Sequence, residues 1–206
     1  MNRDEALSRR QSVSGLATFA GPLLLVLGWI VLLRRAGQGP DFGWFFSHAL
    51  LLSGVVLLVP AILGLRHLLG HHAASWADVG TGLAILGVLA HTGQYAIDLV
   101  VGHLAFDQAE MSALFIRISE APGITIPFQL AGPSALYVGM LILLFGLFSS
   151  RIIPSWAAAV AALGIIAVGS GAALDSGAVT LLGFLGLWVG LVPVGRIMRI
   201  GSVKPR

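Results

Sequence analysis

The chain has 206 residues, 57% of them hydrophobic and only 10% charged, far below the roughly 25% charged residues of a soluble domain; its mean hydropathy is +0.93. It has no cysteine, which excludes disulfides, thiolate nucleophiles and cysteine-held metals. The pI of about 10.2 does not point to nucleic acid, because the basic residues stand at the ends of apolar runs and form no basic stripe.

A helix needs about 20 mostly apolar residues to cross a bilayer, and six stretches qualify. The first covers about 15–33. Ser8-Arg9-Arg10 precedes it and faintly resembles a twin-arginine signal, but the run is long and Arg34 and Arg35 follow it, so a retained helix is expected. The second span, about 44–65, carries His48. The third, about 79–102, contains HTGQYAIDLVVGH. The fourth, about 124–148, has no charge. The fifth covers about 153–174 and the sixth about 177–195. The expected fold class is all-α, a polytopic transmembrane bundle forming a single integral membrane domain.

The loops orient it. One side receives Arg3, Arg9, Arg10, Arg66, Arg151, Arg196, Arg199, Lys204 and Arg206; the other receives Arg34, Arg35 and Arg117. This bias puts both termini in the cytoplasm of an inner-membrane, multi-pass protein. Trp44, Trp76 and Trp156 fall where interfacial aromatics belong. In the external loop 103–123, Leu104, Met111, Leu114, Phe115 and Ile118 recur at helical spacing. Asp107 and Glu110 resemble a capping box. Together they predict a short amphipathic helix over 108–119, ended by Pro122-Gly123 and placed as a candidate lid.

The polar residues inside the spans are few. His91, Tyr95, Asp98 and Gly102 follow three-four spacing and share one face of the third helix, with Gln94 adjacent. Facing lipid, Asp98 would cost about 2.5–3.5 kcal/mol at the midplane, so this face should turn inward. Asp98 and His48 each lie about four residues, roughly 6 Å, below the outer end of their spans. Gln129 and Asp175 fall in the same outer half, and His91, Ser134 and Tyr137 nearer the middle. An outward-facing polar pocket built from His48, His91, Gln94, Tyr95, Asp98, Gln129, Ser134, Tyr137 and Asp175 is the expected site. Each residue also has a plainer role: Asp98 as a hydrogen-bond lock, Asp175 as a cap for the sixth helix, the tyrosines as packing.

Other features carry less. Gly132-Pro133 interrupts the fourth helix and frees a carbonyl beside Gln129 and Ser134. His67 and His71 in RHLLGHH have a metal-compatible spacing, but with no carboxylate beside them no metal is expected. Ser75-Trp76-Ala77 and Ser155-Trp156-Ala157 open helices in which Gly87 and Gly164 each precede an aspartate by eleven residues, a faint internal repeat that would make Asp98 and Asp175 equivalent. Gly186 and Gly190 form a GxxxG that would serve a homodimer.

The stretch SRIIPSWAA at 150–158, set between apolar spans, and HALLLSG at 48–54 resemble small uncharacterised multi-pass membrane proteins of bacteria. The resemblance implies a six-helix integral membrane protein and carries no activity. Four functions remain open. The pocket could bind or transport a small or amphiphilic ligand, with His48 and Asp98 carrying a proton. It could belong to a membrane enzyme acting on a lipid or isoprenoid, with the same two residues as acid and base. The chain could be a structural accessory subunit. It could be a b-type haem protein with His48 and His91 as axial ligands, though these lie about 10 Å apart in depth. Membrane lipids are expected neighbours in every case.

Overall fold

The computed structural model describes residues 3–35, 37, 39–70 and 74–200, without the side chains of residues 3–9 and 74. It contains α1 (Arg3–Leu33), α2 (Phe42–Leu69), α3 (Ala74–Leu104), α4 (Gln108–Ser119), a π-helical segment (Thr125–Leu130), α5 (Ala131–Ser149), α6 (Ser155–Ala173) and α7 (Gly177–Ile200). No strand occurs among the described residues. Six helical stretches are long and apolar enough to cross a membrane, and the protein is a six-span helical bundle.

The spans pack in chain order as a closed ring: α1 on α2, α2 on α3, α3 on α5, α5 on α6, α6 on α7, and α7 back on α1. Leu51, Ile62, Leu65, Leu143, Leu147 and Leu191 are fully buried in its interior. Leu27, Val56, Leu86, Phe145, Leu163 and Leu182 are exposed on its outside. An apolar exterior of this extent is what a lipid-facing surface requires, since a soluble protein rarely exposes contiguous apolar area on this scale. With six spans, the start of α1 and the end of α7 lie at one end of the ring. The α2–α3 turn is at that end too, where the Arg66 Nε donates to Asp78 Oδ1 at 2.6 Å.

Two boundaries differ from the sequence reading, each for a physical reason. The helices outrun their apolar stretches: α1 begins at Arg3 and α7 continues to Ile200. Hydropathy marks where lipid begins, whereas helical backbone persists through good helix formers such as Glu, Ala, Leu and Arg. The fourth span is not one α-helix. Pro127 and Pro133 each lack an N–H, and the chain between them takes a π register in which the Ala131 N–H donates to the Ile126 carbonyl, five residues back. Gly132 permits this turn, because a Cβ there would lie 2.0 Å from the Pro127 carbonyl oxygen.

Gly186 and Gly190 lie against α6. A Cβ on Gly190 would lie 2.5 Å from the Ala161 nitrogen, and one on Gly186 would lie 3.1 Å from the Gly164 Cα. These small residues bring α7 against α6.

The expected amphipathic helix is α4. The Asp107 side chain accepts from the Glu110 N–H at 2.9 Å. Glu110 Oε2 in return accepts from the Phe106 N–H at 2.9 Å, a reciprocal cap. Met111 is buried against Val101 and Ala105, while Leu114, Phe115 and Ile118 pack beside Trp44 and Ile97. The apolar face of α4 thus closes over the outer ends of α2 and α3.

Candidate functional site

Depth brings His48 and Asp98 together. His48 is six residues in from Phe42, where α2 starts, and Asp98 is six residues in from Leu104, where α3 ends. Both lie about 9 Å inside their helix ends, and α2 packs on α3. The two side chains meet with His48 Nε2 at 3.6 Å from Asp98 Oδ2, their side chains 5% and 11% exposed. That distance lies beyond a well-formed hydrogen bond.

The rest of the site fixes which atoms can carry protons. His48 Nδ1 is 2.8 Å from the Trp44 carbonyl, one helical turn back. A carbonyl only accepts, so Nδ1 carries the hydrogen and, in neutral imidazole, Nε2 is an acceptor. Nε2 therefore presents a lone pair to a carboxylate oxygen, and the pair closes only when one proton lies between them. Gln94 Nε2 donates to Asp98 Oδ1 at 2.9 Å. The Gln94 Oε1 on the same amide is buried with no partner among the described residues. Three acceptors are thus gathered with few donors.

Trp44 is the hub of this group. Its Nε1 donates to the Asp98 carbonyl at 2.9 Å. Its ring lies 3.9 Å from the His48 ring, and Phe115 of α4 reaches to 6.0 Å from it. The Arg35 guanidinium sits 5.0 Å from the Trp44 ring centroid, a cation–π contact. Arg35 also donates to the Gly39 carbonyl and to Asp41 Oδ1 at 3.0 Å. Desolvation pushes the Asp41 carboxyl upward, but bonds from Arg35 and the Trp44 N–H outweigh it and hold the carboxyl below its usual range. The Arg35–Asp41 clasp and α4 thus cover the His48–Asp98 pair from the outer side.

Deeper in the ring, His91, Tyr95 and Tyr137 form a second group. His91 Nδ1 is 3.0 Å from the Gly87 carbonyl, again one turn back, and the Tyr137 hydroxyl is 3.5 Å from His91 Nε2. The Tyr95 ring stands between the two histidines, 6.3 Å from His48 and 6.1 Å from His91.

Six of the nine expected residues therefore converge, in two neighbouring groups: His48, Gln94 and Asp98, then His91, Tyr95 and Tyr137. Gln129, Ser134 and Asp175 do not join them. Gln129 and Ser134 are exposed, and the Ser134 hydroxyl donates to the Leu130 carbonyl; the π turn sets their part of the fourth span away from the interior. Asp175 is exposed at a positive φ of 49° in the α6–α7 turn. It lies past the end of α6, whereas Asp98 lies within α3, so the two aspartates are not equivalent positions. His67 Nε2 pairs with Gln11 Nε2 at 3.3 Å, and His71 and His72 lie outside the described residues. No group of three or more metal-binding side chains occurs among the described residues.

Sequence reasoning missed Arg35 and the inward role of Trp44. Trp44 fitted an interfacial belt, and its placement one turn before His48 was the signal available. Compared with protein-family models, curated proteins and solved structures, the chain matches none.

Proposed function

We propose that this protein binds or transports a small or amphiphilic ligand at the outer half of a cytoplasmic membrane, with both termini in the cytoplasm and the His48–Asp98 pair carrying a proton coupled to the ligand. The observation that carries this is the His48 Nε2 lone pair facing Asp98 Oδ2 at 3.6 Å, with Nδ1 committed to a carbonyl. A buried pair of acceptors takes up one proton, and it releases that proton when a donor group replaces it. The unpartnered Gln94 Oε1 beside them favours a ligand that brings N–H or O–H groups. An ionisable pair inside a membrane marks a functional site by default. The two imidazoles direct Nε2 toward different partners, Asp98 and Tyr137, which supports proton sites over paired axial ligation.

The test begins with protein purified in mild detergent, its absorption spectrum and its native mass spectrum. A retained molecule of defined mass supplies the ligand. Its rebinding in weakly buffered solution is then followed with a pH dye. Asp98→Asn and His48→Ala, each shown to be folded, are expected to abolish binding and proton release together. Binding unchanged in both variants would remove the assignment.

A second reading rests on the same geometry. A carbonyl orients His48 against a carboxylate, as an acid–base pair requires, which favours a membrane enzyme acting on a lipid or isoprenoid. Conversion of the retained molecule, lost in both variants, would select it.

A further inference from the structure

The end of the ring that holds the α2–α3 turn is short of anions. Arg10 of α1, Arg151 in the α5–α6 turn, and Arg196 and Arg199 of α7 are exposed there. None of their side chains has a hydrogen bond or ion pair among the described residues. The carboxylate of Asp78 at this end is taken by Arg66 at 2.6 Å. The other described carboxyl groups, Asp41, Asp98, Asp107, Glu110, Glu120 and Asp175, belong to the outer half. Two of the free guanidinium groups have a surface built beside them. Arg196 and Arg199 are three residues apart and so are neighbours on α7. The stem of Arg199 lies on the α1 backbone, since a Cβ on Gly15 would fall 2.6 Å from Arg199 Cγ. From Arg196 toward the middle of the bundle, the same α7 face continues at helical spacing through Val192, Val189, Leu185 and Leu182. These are half-buried and exposed in turn, over about 20 Å. Beside them Phe19 of α1, 39% exposed, stands 5.6 Å from Trp188.

We infer that Arg196 and Arg199 hold the phosphate of an anionic phospholipid whose acyl chain lies along the seam of α1 and α7. A guanidinium fork presents parallel N–H donors to two phosphate oxygens and stays charged at any physiological pH. Basic sites between membrane helices recognise anionic headgroups by this chemistry. The apolar strip selects a lipid over a free phosphate. Half of the hydrocarbon core is about 15 Å thick, so the strip is long enough for an acyl chain within one leaflet. The lack of carboxylates selects a net negative headgroup, because a zwitterionic lipid would bring a further cation to arginines that already want an anion. The site stands at the opposite end of the ring from the His48–Asp98 pair and does not depend on it.

The experiment is native mass spectrometry of the detergent-purified protein, titrated with dioleoylphosphatidylglycerol or dioleoylphosphatidylcholine. The wild type is expected to retain the anionic lipid about 30-fold more tightly, about fivefold for each arginine. Arg196→Gln combined with Arg199→Gln is expected to abolish that preference. Arg10→Gln combined with Arg151→Gln removes the same charge from the same end and is expected to keep it. If the first pair does not fold, Arg196→Gln alone is expected to lose about fivefold, and an unchanged preference in it overturns the inference. Equal retention of the two lipids by the wild type does the same, as does a preference that survives without Arg196 and Arg199. An equal loss in both pairs also overturns it, because the attraction would then be spread over the whole end. Excess inorganic phosphate is expected to leave the anionic lipid in place; its displacement would mean a free-phosphate site that makes no use of the apolar strip, and would overturn the lipid.

Discussion

Replacing Asp98 in two ways separates a shared proton from a fixed ion pair. In Asp98→Asn the new amide keeps the shape of the carboxylate. Its oxygen can accept from Gln94 Nε2, now 2.9 Å from Oδ1. Its N–H group can donate to His48 Nε2, now 3.6 Å from Oδ2. If one proton normally bridges the pair, the amide supplies that hydrogen permanently and stability should change by no more than about 1 kcal/mol, the net worth of one hydrogen bond. Asp98→Ala leaves His48 Nε2 and Gln94 Nε2 both unpaired inside the ring. Each unsatisfied buried group costs about 1–3 kcal/mol, so a loss of about 2–6 kcal/mol is expected. Thermal unfolding in a single detergent, with both variants beside the wild type, reads the difference. An asparagine variant as unstable as the alanine variant would refute the shared proton. It would mean that a charged His48 depends on the carboxylate, because breaking one side of a buried ion pair costs about 3–5 kcal/mol.

Three further outcomes are expected. Gly190→Leu should destabilise the bundle by about 3 kcal/mol or more, read as a lower unfolding temperature, since its Cβ would lie 2.5 Å from the α6 backbone at Ala161. Asp41 has a lowered carboxyl pKa in the folded chain, so its contribution is complete above the unfolded value near 3.9 and is lost as pH falls through the lower folded value. Tryptophan fluorescence should therefore report loosening of the Arg35–Asp41–Trp44 clasp in the wild type below about pH 4, and Asp41→Asn should show the loosened signal at neutral pH. Reporter domains fused at either terminus should both be active on the cytoplasmic side, as the distribution of arginines requires; opposite sides would contradict the six-span ring.

The spans and α4 were legible because lipid and helix geometry act on local patterns. An apolar run sets each crossing, and Asp107 with Glu110 caps α4 within four residues of sequence. The pairing of His48 with Asp98 was legible for a similar reason: equal depth on consecutive antiparallel helices. Gln129 and Ser134 were misplaced because depth alone does not fix a face. Two prolines shift the backbone into a π register, and a fraction of a turn carries a side chain from the interior to the exterior. The GxxxG at Gly186 and Gly190 was ambiguous on its own terms, since a small-residue groove receives α6 as readily as a second copy. Arg35 was invisible because its partners, Gly39, Asp41 and Trp44, meet only once the loop has folded back.

The two histidines use one device at two depths, and the difference between their partners follows from the bilayer. Each gives Nδ1 to the carbonyl one turn back, Trp44 for His48 and Gly87 for His91, which leaves Nε2 as the working atom. His48, about 9 Å in, faces a carboxyl group; His91, thirteen residues and about 20 Å from the outer end of α3, faces a phenol. A charge grows more expensive toward the midplane. A carboxylate is tolerable nearer the boundary, under Trp44 and α4. At the centre a neutral hydroxyl provides the same hydrogen-bonding partner without an anion. Exchanging the partners tests this ordering. Tyr137→Asp should destabilise the bundle more than Asp98→Asn, because it puts a carboxyl beside His91 at a depth where burying it costs more. Equal unfolding temperatures for the two variants would show that depth does not govern the choice of partner.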